Sequence, residues 1–357
     1  MPRTRLFAGY GGGGGQMELG GTHMIYRRSG KGDLPHQRAA QNAAGWVGDR
    51  FFRAIARAGR LHPQADPSLH GVEVIHDLSY APPGDRENSR AHRLDVYRPT
   101  GAGEGMPTVL YIHGGAFHSL SKDTHWIMGL AYARQGYLVF VINYRVAPRH
   151  KFPAAAQDVA RAFTWTVEHA ADFGGDPRRV VVAGESAGAN LAASLTVMAC
   201  FDRPEPWAAD VSATGVTPTA CLPACGLLQV SDTERFTRRR SLPGFIRNQI
   251  VRCEAGYLHG ARLGSGGVDL ADPLLVLESN EVPTRPLPPF FALVGTRDPL
   301  LDDTRRLEAA LRARGADVEA KYYPGGLHGF HAVPMLRNAR RSWRDQFAFL
   351  DRVLART

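Results

Sequence analysis

The sequence predicts an α/β fold: a mainly parallel sheet of eight strands with helices on both faces. Three observations point to it. Short apolar runs alternate with longer segments of helical periodicity along most of the chain. Several of those runs are apolar without a break, as in Val109-Leu110-Tyr111-Ile112 and Val180-Val181-Val182-Ala183, which is expected of parallel strands covered on both sides. Gly136 and Gly174-Gly175 stand where the intervening helices should stop. Each parallel return needs a crossover, so this alternation builds layers of helix, sheet and helix.

Strands are expected at 71–75, 92–97, 108–113, 138–144, 180–183, 226–230, 289–295 and 318–323. The first two flank Pro82-Pro83-Gly84-Asp85 and suit an antiparallel pair. Helices are expected near 124–134, 154–172, 187–199, 303–314 and 338–354. The stretch 231–267 breaks the rhythm. It is basic and partly helical, over 244–258, and sits between two strand candidates as a lid insertion would. No internal repeat is visible.

The start of the chain reads differently. Residues 1–38 form a basic arm with the flexible tract Gly11–Gly15. From 39 to 60 the pattern turns helical, with Val47, Phe51, Ala54 and Ala58 at helical spacing and Arg50, Arg53, Arg57 and Arg60 on a basic side. A helix docked on the main body accounts for this; a membrane-surface helix is the sharper alternative. The expected organisation is therefore an arm over 1–38, a helical cap portion over 39–70, and a main domain over 71–357 that carries the insertion.

Composition narrows the function. The 357 residues are 44% hydrophobic and 22% charged, ordinary for a globular chain and unlike a disordered one. The formal charge is +9, but residues 1–60 contribute +7 of it. A nucleic-acid-binding protein would spread its basic residues along a working surface, so nucleic acid is not expected as a partner. No apolar run has the roughly 18–20 residues of a membrane-spanning helix, and the first ten residues are too short of apolar ones for a signal-peptide core. Cys200, Cys221, Cys225 and Cys253 lack the paired spacing of a zinc site, so free thiols and a cytoplasmic location are expected. Neither glycine cluster ends in the Gly-Lys-Ser/Thr that cradles phosphates, and no cofactor of any kind is implied.

The chemistry lies elsewhere. Gly184-Glu185-Ser186-Ala187-Gly188 joins a predicted strand to a predicted helix. A serine at such a tip has its hydroxyl pushed outward, and the flanking glycines let backbone pass where a β-carbon would clash. The helix beginning there aims free N–H groups at a developing oxyanion. A serine hydroxyl needs a base, and His328, in Gly325-Gly326-Leu327-His328-Gly329, lies just beyond the last predicted strand. Loops at the carboxyl ends of parallel strands are where such a sheet builds its site. Asp298 follows the preceding strand and is the candidate to orient the imidazole. Asp302 and Asp303 compete with it but read better as caps of the next helix. The order Ser186, Asp298, His328 is that of the α/β-hydrolases. In His113-Gly114-Gly115-Ala116, small residues expose backbone N–H groups; with Ala187 they make a candidate oxyanion hole.

At this point the chain resembles a known family. His113-Gly114-Gly115-Ala116, Tyr144-Arg145-Val146-Ala147-Pro148, Phe152-Pro153-Ala154-Ala155, Gly184-Glu185-Ser186-Ala187-Gly188-Ala189-Asn190, Asp298-Pro299-Leu300 and His328-Gly329-Phe330 stand in the order seen in the hormone-sensitive-lipase-like α/β-hydrolases. The resemblance covers about 71–354. It implies a serine carboxylesterase with Ser186 as nucleophile, His328 as base and Asp298 as its orienter. It further implies short-to-medium acyl esters as substrates and a cap built from 39–60 and 231–267; it leaves the oligomeric state open, a homodimer being the arrangement of some relatives. Three departures stand out: Ala116 for a third glycine, Glu185 where many members carry Asp, and Ala189 where glycine is common. The stretch from Tyr144 to Ala156 reads as scaffold. An amidase or arylformamidase would use the same triad, and a ligand receptor of this fold would typically have lost the histidine.

Overall fold

The structure, a computed structural model, describes residues 54, 56–81, 84–85, 88, 90–239, 242–258 and 268–356. The expected arm, most of the 39–60 helix, the 82–83 turn and the end of the insertion lie outside the described residues.

Eight strands form one sheet: β1 (Val72–Ser79), β2 (Arg93–Pro99), β3 (Met106–Ile112), β4 (Leu138–Ile142), β5 (Gly175–Glu185), β6 (Ala220–Ala224), β7 (Phe290–Gly295) and β8 (Val318–Tyr323). Their order is β1-β2-β4-β3-β5-β6-β7-β8. β2 runs antiparallel to both β1 and β4, and every other pairing is parallel. The expected hairpin and the expected parallel body are both present.

The apolar runs divide by strand period. Along β3, Leu110 and Ile112 enter one core while Val109 and Tyr111 enter the other; along β5, Val180 and Val182 oppose Val181 and Ala183 in the same way. Helices α1 (Trp126–Ala133), α2 (Ala154–His169), α3 (Ala187–Cys200), α4 (Pro206–Ala213), α5 (Arg235–Arg239), α6 (Gly244–Tyr257), α7 (Pro273–Glu278), α8 (Leu301–Ala313) and α9 (Arg337–Leu354) follow in chain order. α2 and α3 cover the first face; α1 and α9 cover the second. No helix among the described residues is long and apolar enough to cross a membrane.

One expected strand is misplaced. The sixth strand is Ala220–Ala224, not 226–230. At Cys225 the backbone turns to a left-handed φ of 41° and leaves the sheet. Leu227, Leu228 and Val230 are apolar because they are buried, not because they pair with a neighbour. Their stretch of backbone is satisfied by carboxylates instead: Leu228 and Gln229 N–H donate to Asp303, and Val230 and Ser231 N–H donate to Asp272. Pro223 disguised the true strand. Helices α4 and α7, both short and opening on proline, were not expected.

The topology brings the carboxyl ends of β3, β5, β7 and β8 to one rim, where the loops of interest lie.

Candidate active site

β5 ends at Glu185, and Ser186 turns the chain into α3 with φ 53° and ψ −114°. That strained backbone is held from both sides. Ser186 N–H donates to the Ala224 carbonyl at 2.9 Å, and Asn190 N–H donates to the Ser186 carbonyl at 3.2 Å. A β-carbon at Gly188 would collide with the Ile112 and His113 carbonyls, so the turn needs glycine there.

Asp298 and His328 arrive on two loops laced together. Thr296 N–H donates to the Tyr323 carbonyl and Arg297 N–H to the Gly326 carbonyl, both at 3.0 Å, while Gly325 N–H donates to Thr296 Oγ1 at 2.8 Å. Gly295 and Gly326 touch backbone to backbone: a β-carbon on Gly326 would sit 3.0 Å from the Gly295 Cα. Asp298 is fully buried, and its Oδ1 accepts the Leu300 N–H at 2.8 Å.

The three side chains meet. His328 Nδ1 lies 2.9 Å from Asp298 Oδ2, and His328 Nε2 lies 3.0 Å from Ser186 Oγ. The His328 side chain is 39% exposed, so the far edge of this chain opens to the outside. Burial opposes the charged imidazole, but the Asp298 carboxylate, with Cys225 beside it, outweighs that and holds His328 well above its ordinary pKa.

Asp303 takes no part in this chain and does not act as a helix cap. It sits in the first turn of α8, fully buried, paired with Arg235 and accepting the Leu228 N–H.

The loop after β3 bends through left-handed backbone at Gly115, Ala116 and Phe117. Tyr144 holds its start, stacking on His113 at 4.2 Å and donating its hydroxyl to the His113 carbonyl at 2.9 Å. The scaffold stretch thus reaches the site through Tyr144 and through Ala147, whose N–H donates to the Phe117 carbonyl at 2.8 Å. Gly114 N–H faces His125 Nε2 at 3.4 Å, so this one of the expected donors already has a partner. The N–H groups of Gly115, Ala116 and Ala187 meet no acceptor among the described residues. α6, from the insertion, closes over this loop, with Tyr257 stacked on Phe117 at 3.9 Å.

Sequence reasoning missed what surrounds Glu185. Its Oε1 lies 2.9 Å from His125 Nε2, and its Oε2 lies 3.0 Å from His331 Nε2. Burial would raise this carboxyl, but the two imidazoles overcome that and hold it well below the usual carboxylate range. A β-carbon at Gly114 would press on the Glu185 carbonyl and side chain, at 3.0 and 3.1 Å. The only signal was position: His331 stands three residues after His328. A cavity of about 520 Å³ near Leu61, Val74 and Trp126 is lined by none of these groups.

The family model for the α/β-hydrolase fold matches residues 109–332, a span that includes all three meeting side chains. The chain belongs to the α/β-hydrolase family. The resemblance to its hormone-sensitive-lipase-like members, read above from six motifs, holds. This α/β-hydrolase is 33% identical over 285 residues to the carboxylic ester hydrolase LipN of Mycobacterium tuberculosis, covering 76% of this chain and 69% of that protein. It is 32% identical over 239 residues to the carboxylesterase NlhH of the same organism, covering 66% and 70%. Among solved structures, esterase LipW from Mycobacterium marinum shares the fold at a TM-score of 0.69 and 23% identity, over 90% of this hydrolase and 96% of that chain. The Pyrobaculum calidifontis esterase aligns at a TM-score of 0.65 and 25% identity, over 85% and 91%.

Proposed function

We propose that this α/β-hydrolase is a serine carboxylesterase acting on short-to-medium acyl esters through Ser186, His328 and Asp298. The reading rests on one observation above all: the hydrogen-bonded chain Asp298–His328–Ser186, with contacts of 2.9 and 3.0 Å. Two relatives named as carboxylic ester hydrolase and carboxylesterase support the bond type.

In the mechanism, Ser186 Oγ attacks the ester carbonyl while His328 Nε2 takes its proton. Asp298 keeps the remaining imidazole proton on Nδ1 and offsets the charge that forms. The N–H groups of Gly115, Ala116 and Ala187 hold the oxyanion, each such donor contributing about 3–4 kcal/mol to the transition state. His328 then returns the proton to the leaving alcohol, and water, deprotonated by the same imidazole, frees the acid from Ser186. α5 and α6 serve as cap, with α6 forming the wall beside the oxyanion loop.

The test is covalent. A fluorophosphonate should label Ser186, and Ser186→Ala should fold normally, resist labelling and lose turnover of p-nitrophenyl butyrate. Full activity in that variant would reject the reading.

A further inference from the structure

Cys225 is a buried nucleophilic group that the mechanism above does not use, and it stands beside the residues that it does use. It follows β6 directly, in left-handed backbone, and is 1% exposed. Its Sγ, a carboxylate oxygen of Asp298 and a ring nitrogen of His328 all lie within 4.8 Å of one another. We propose that these three side chains bind a single thiophilic divalent cation, of the zinc and cadmium class, and that its binding stops ester hydrolysis. The inhibition rests on the catalytic reading given above; the binding does not.

The geometry suits a small tetrahedral ion. With metal–sulfur bonds of about 2.3 Å and metal–nitrogen or metal–oxygen bonds of about 2.0–2.2 Å, ligand atoms stand roughly 3.3–3.7 Å apart. The cluster reaches that spacing by shifts of about an ångström or less. The fourth position falls to water, and the exposed edge of His328 provides the approach.

Charge balance favours the loaded site. Thiolate and carboxylate together neutralise a divalent ion, so no net charge is left among buried groups. Sulfur also selects the metal: magnesium and calcium demand oxygen ligands, whereas zinc and cadmium accept thiolate with imidazole. The imidazole must be neutral to offer a ring nitrogen, and from that form one proton leaves on binding, from the thiol.

The imidazole proton stays, and its position blocks the reaction. An ion on Nδ1 leaves that proton on Nε2, facing Ser186 Oγ, with no lone pair to accept the serine proton. An ion on Nε2 occupies the lone pair itself. Either way the base is lost. The sequence hid the site because its ligands come from three different loops and share no metal-binding spacing.

The experiment uses the full chain in chelator-free buffer with a slight excess of Cd²⁺ or Zn²⁺, and Mg²⁺ and Ca²⁺ as controls. Three quantities are read: metal retained per chain after gel filtration, the sulfur-to-cadmium charge-transfer band in the ultraviolet, and p-nitrophenyl butyrate turnover. We expect one retained ion, the band, and a rate loss of roughly 10²-fold or more, reversed by EDTA. Cys225→Ala should lose the ion and the band, and its rate should no longer respond to metal relative to its own metal-free value. Cys225→Ser provides the same test if the alanine variant misfolds. Cys253→Ala should behave as wild type, since that thiol lies on α6 outside the cluster. Ser186→Ala should keep both ion and band; if it does so while remaining fully active, the catalytic reading fails and the metal site stands. Retention of the ion or of inhibition in the Cys225 variants overturns the site. Binding without any rate loss overturns the inhibition.

Discussion

Glu185 and His331 tie the strand that presents Ser186 to the loop that presents His328, through a contact of 3.0 Å between Oε2 and Nε2. The other carboxylate oxygen holds His125, whose Nε2 also faces the oxyanion loop at Gly114. One buried carboxylate therefore touches all three parts of the proposed machinery.

Glu185→Gln keeps the shape and removes the charge, leaving two imidazoles against a neutral amide. Leaving buried groups without their hydrogen-bond partner costs about 1–3 kcal/mol. We expect a lower denaturant midpoint together with a reduced kcat; an unchanged midpoint would show that the carboxylate is not a structural hub.

Asp298→Asn should leave the fold intact, because an amide oxygen still accepts the Leu300 N–H. It should nevertheless lower kcat by roughly 10⁴-fold, since the imidazole loses the partner that fixes its tautomer. Steady-state kinetics with a p-nitrophenyl ester measures this, and KM should change far less than kcat.

Ala116 carries a side chain at φ 57°, where L-residues pay about 1–2 kcal/mol and glycine does not. Glycine loses about 0.5–1 kcal/mol more in backbone entropy on folding. Ala116→Gly should thus stabilise the protein by up to about 1.5 kcal/mol, read from chemical denaturation. Gly115→Ala should do the opposite and abolish activity, because its β-carbon would meet the Ser119 carbonyl.

Asp158 is fully buried beneath Arg145 and His92, at 2.7 and 2.9 Å. Burial would raise its carboxyl, but His92 and Arg145 outweigh it and lower the pKa from the usual 3.8. A carboxyl depressed in the folded state stabilises it fully above the unfolded value and loses that contribution as pH falls through the folded one. Wild type should lose stability in acid below about pH 4, and Asp158→Asn should show a shallower acid slope from a lower starting stability. Urea midpoints between pH 3 and pH 7 provide the measurement.

The fold was largely legible because its strands are covered on both faces and its helices carry a clear apolar stripe. β3, β5 and β7 fell near their expected positions for that reason. The sixth strand did not: Pro223 interrupts its pattern, while the buried, carboxylate-anchored 226–230 imitates a strand. Ser186, Asp298 and His328 were readable because a turn chemistry, a strand end and a chain order all converge on them. His125 and Cys225 carry no local signal, since only tertiary folding brings them to the rim. Asp303 misled for a related reason: its place before a helix suggested a cap, and its partner Arg235 is distant in sequence.

At the seam between the two loops, a β-carbon on Gly295 would collide with the Gly326 backbone, and one on Gly326 would press on Gly295. The loops that carry Asp298 and His328 are therefore coupled through this contact, and neither can shift without disturbing the other. Adaptation to new esters should accordingly accumulate in α6, which packs on the loop after β3 through Tyr257, while the coupled pair stays as it is.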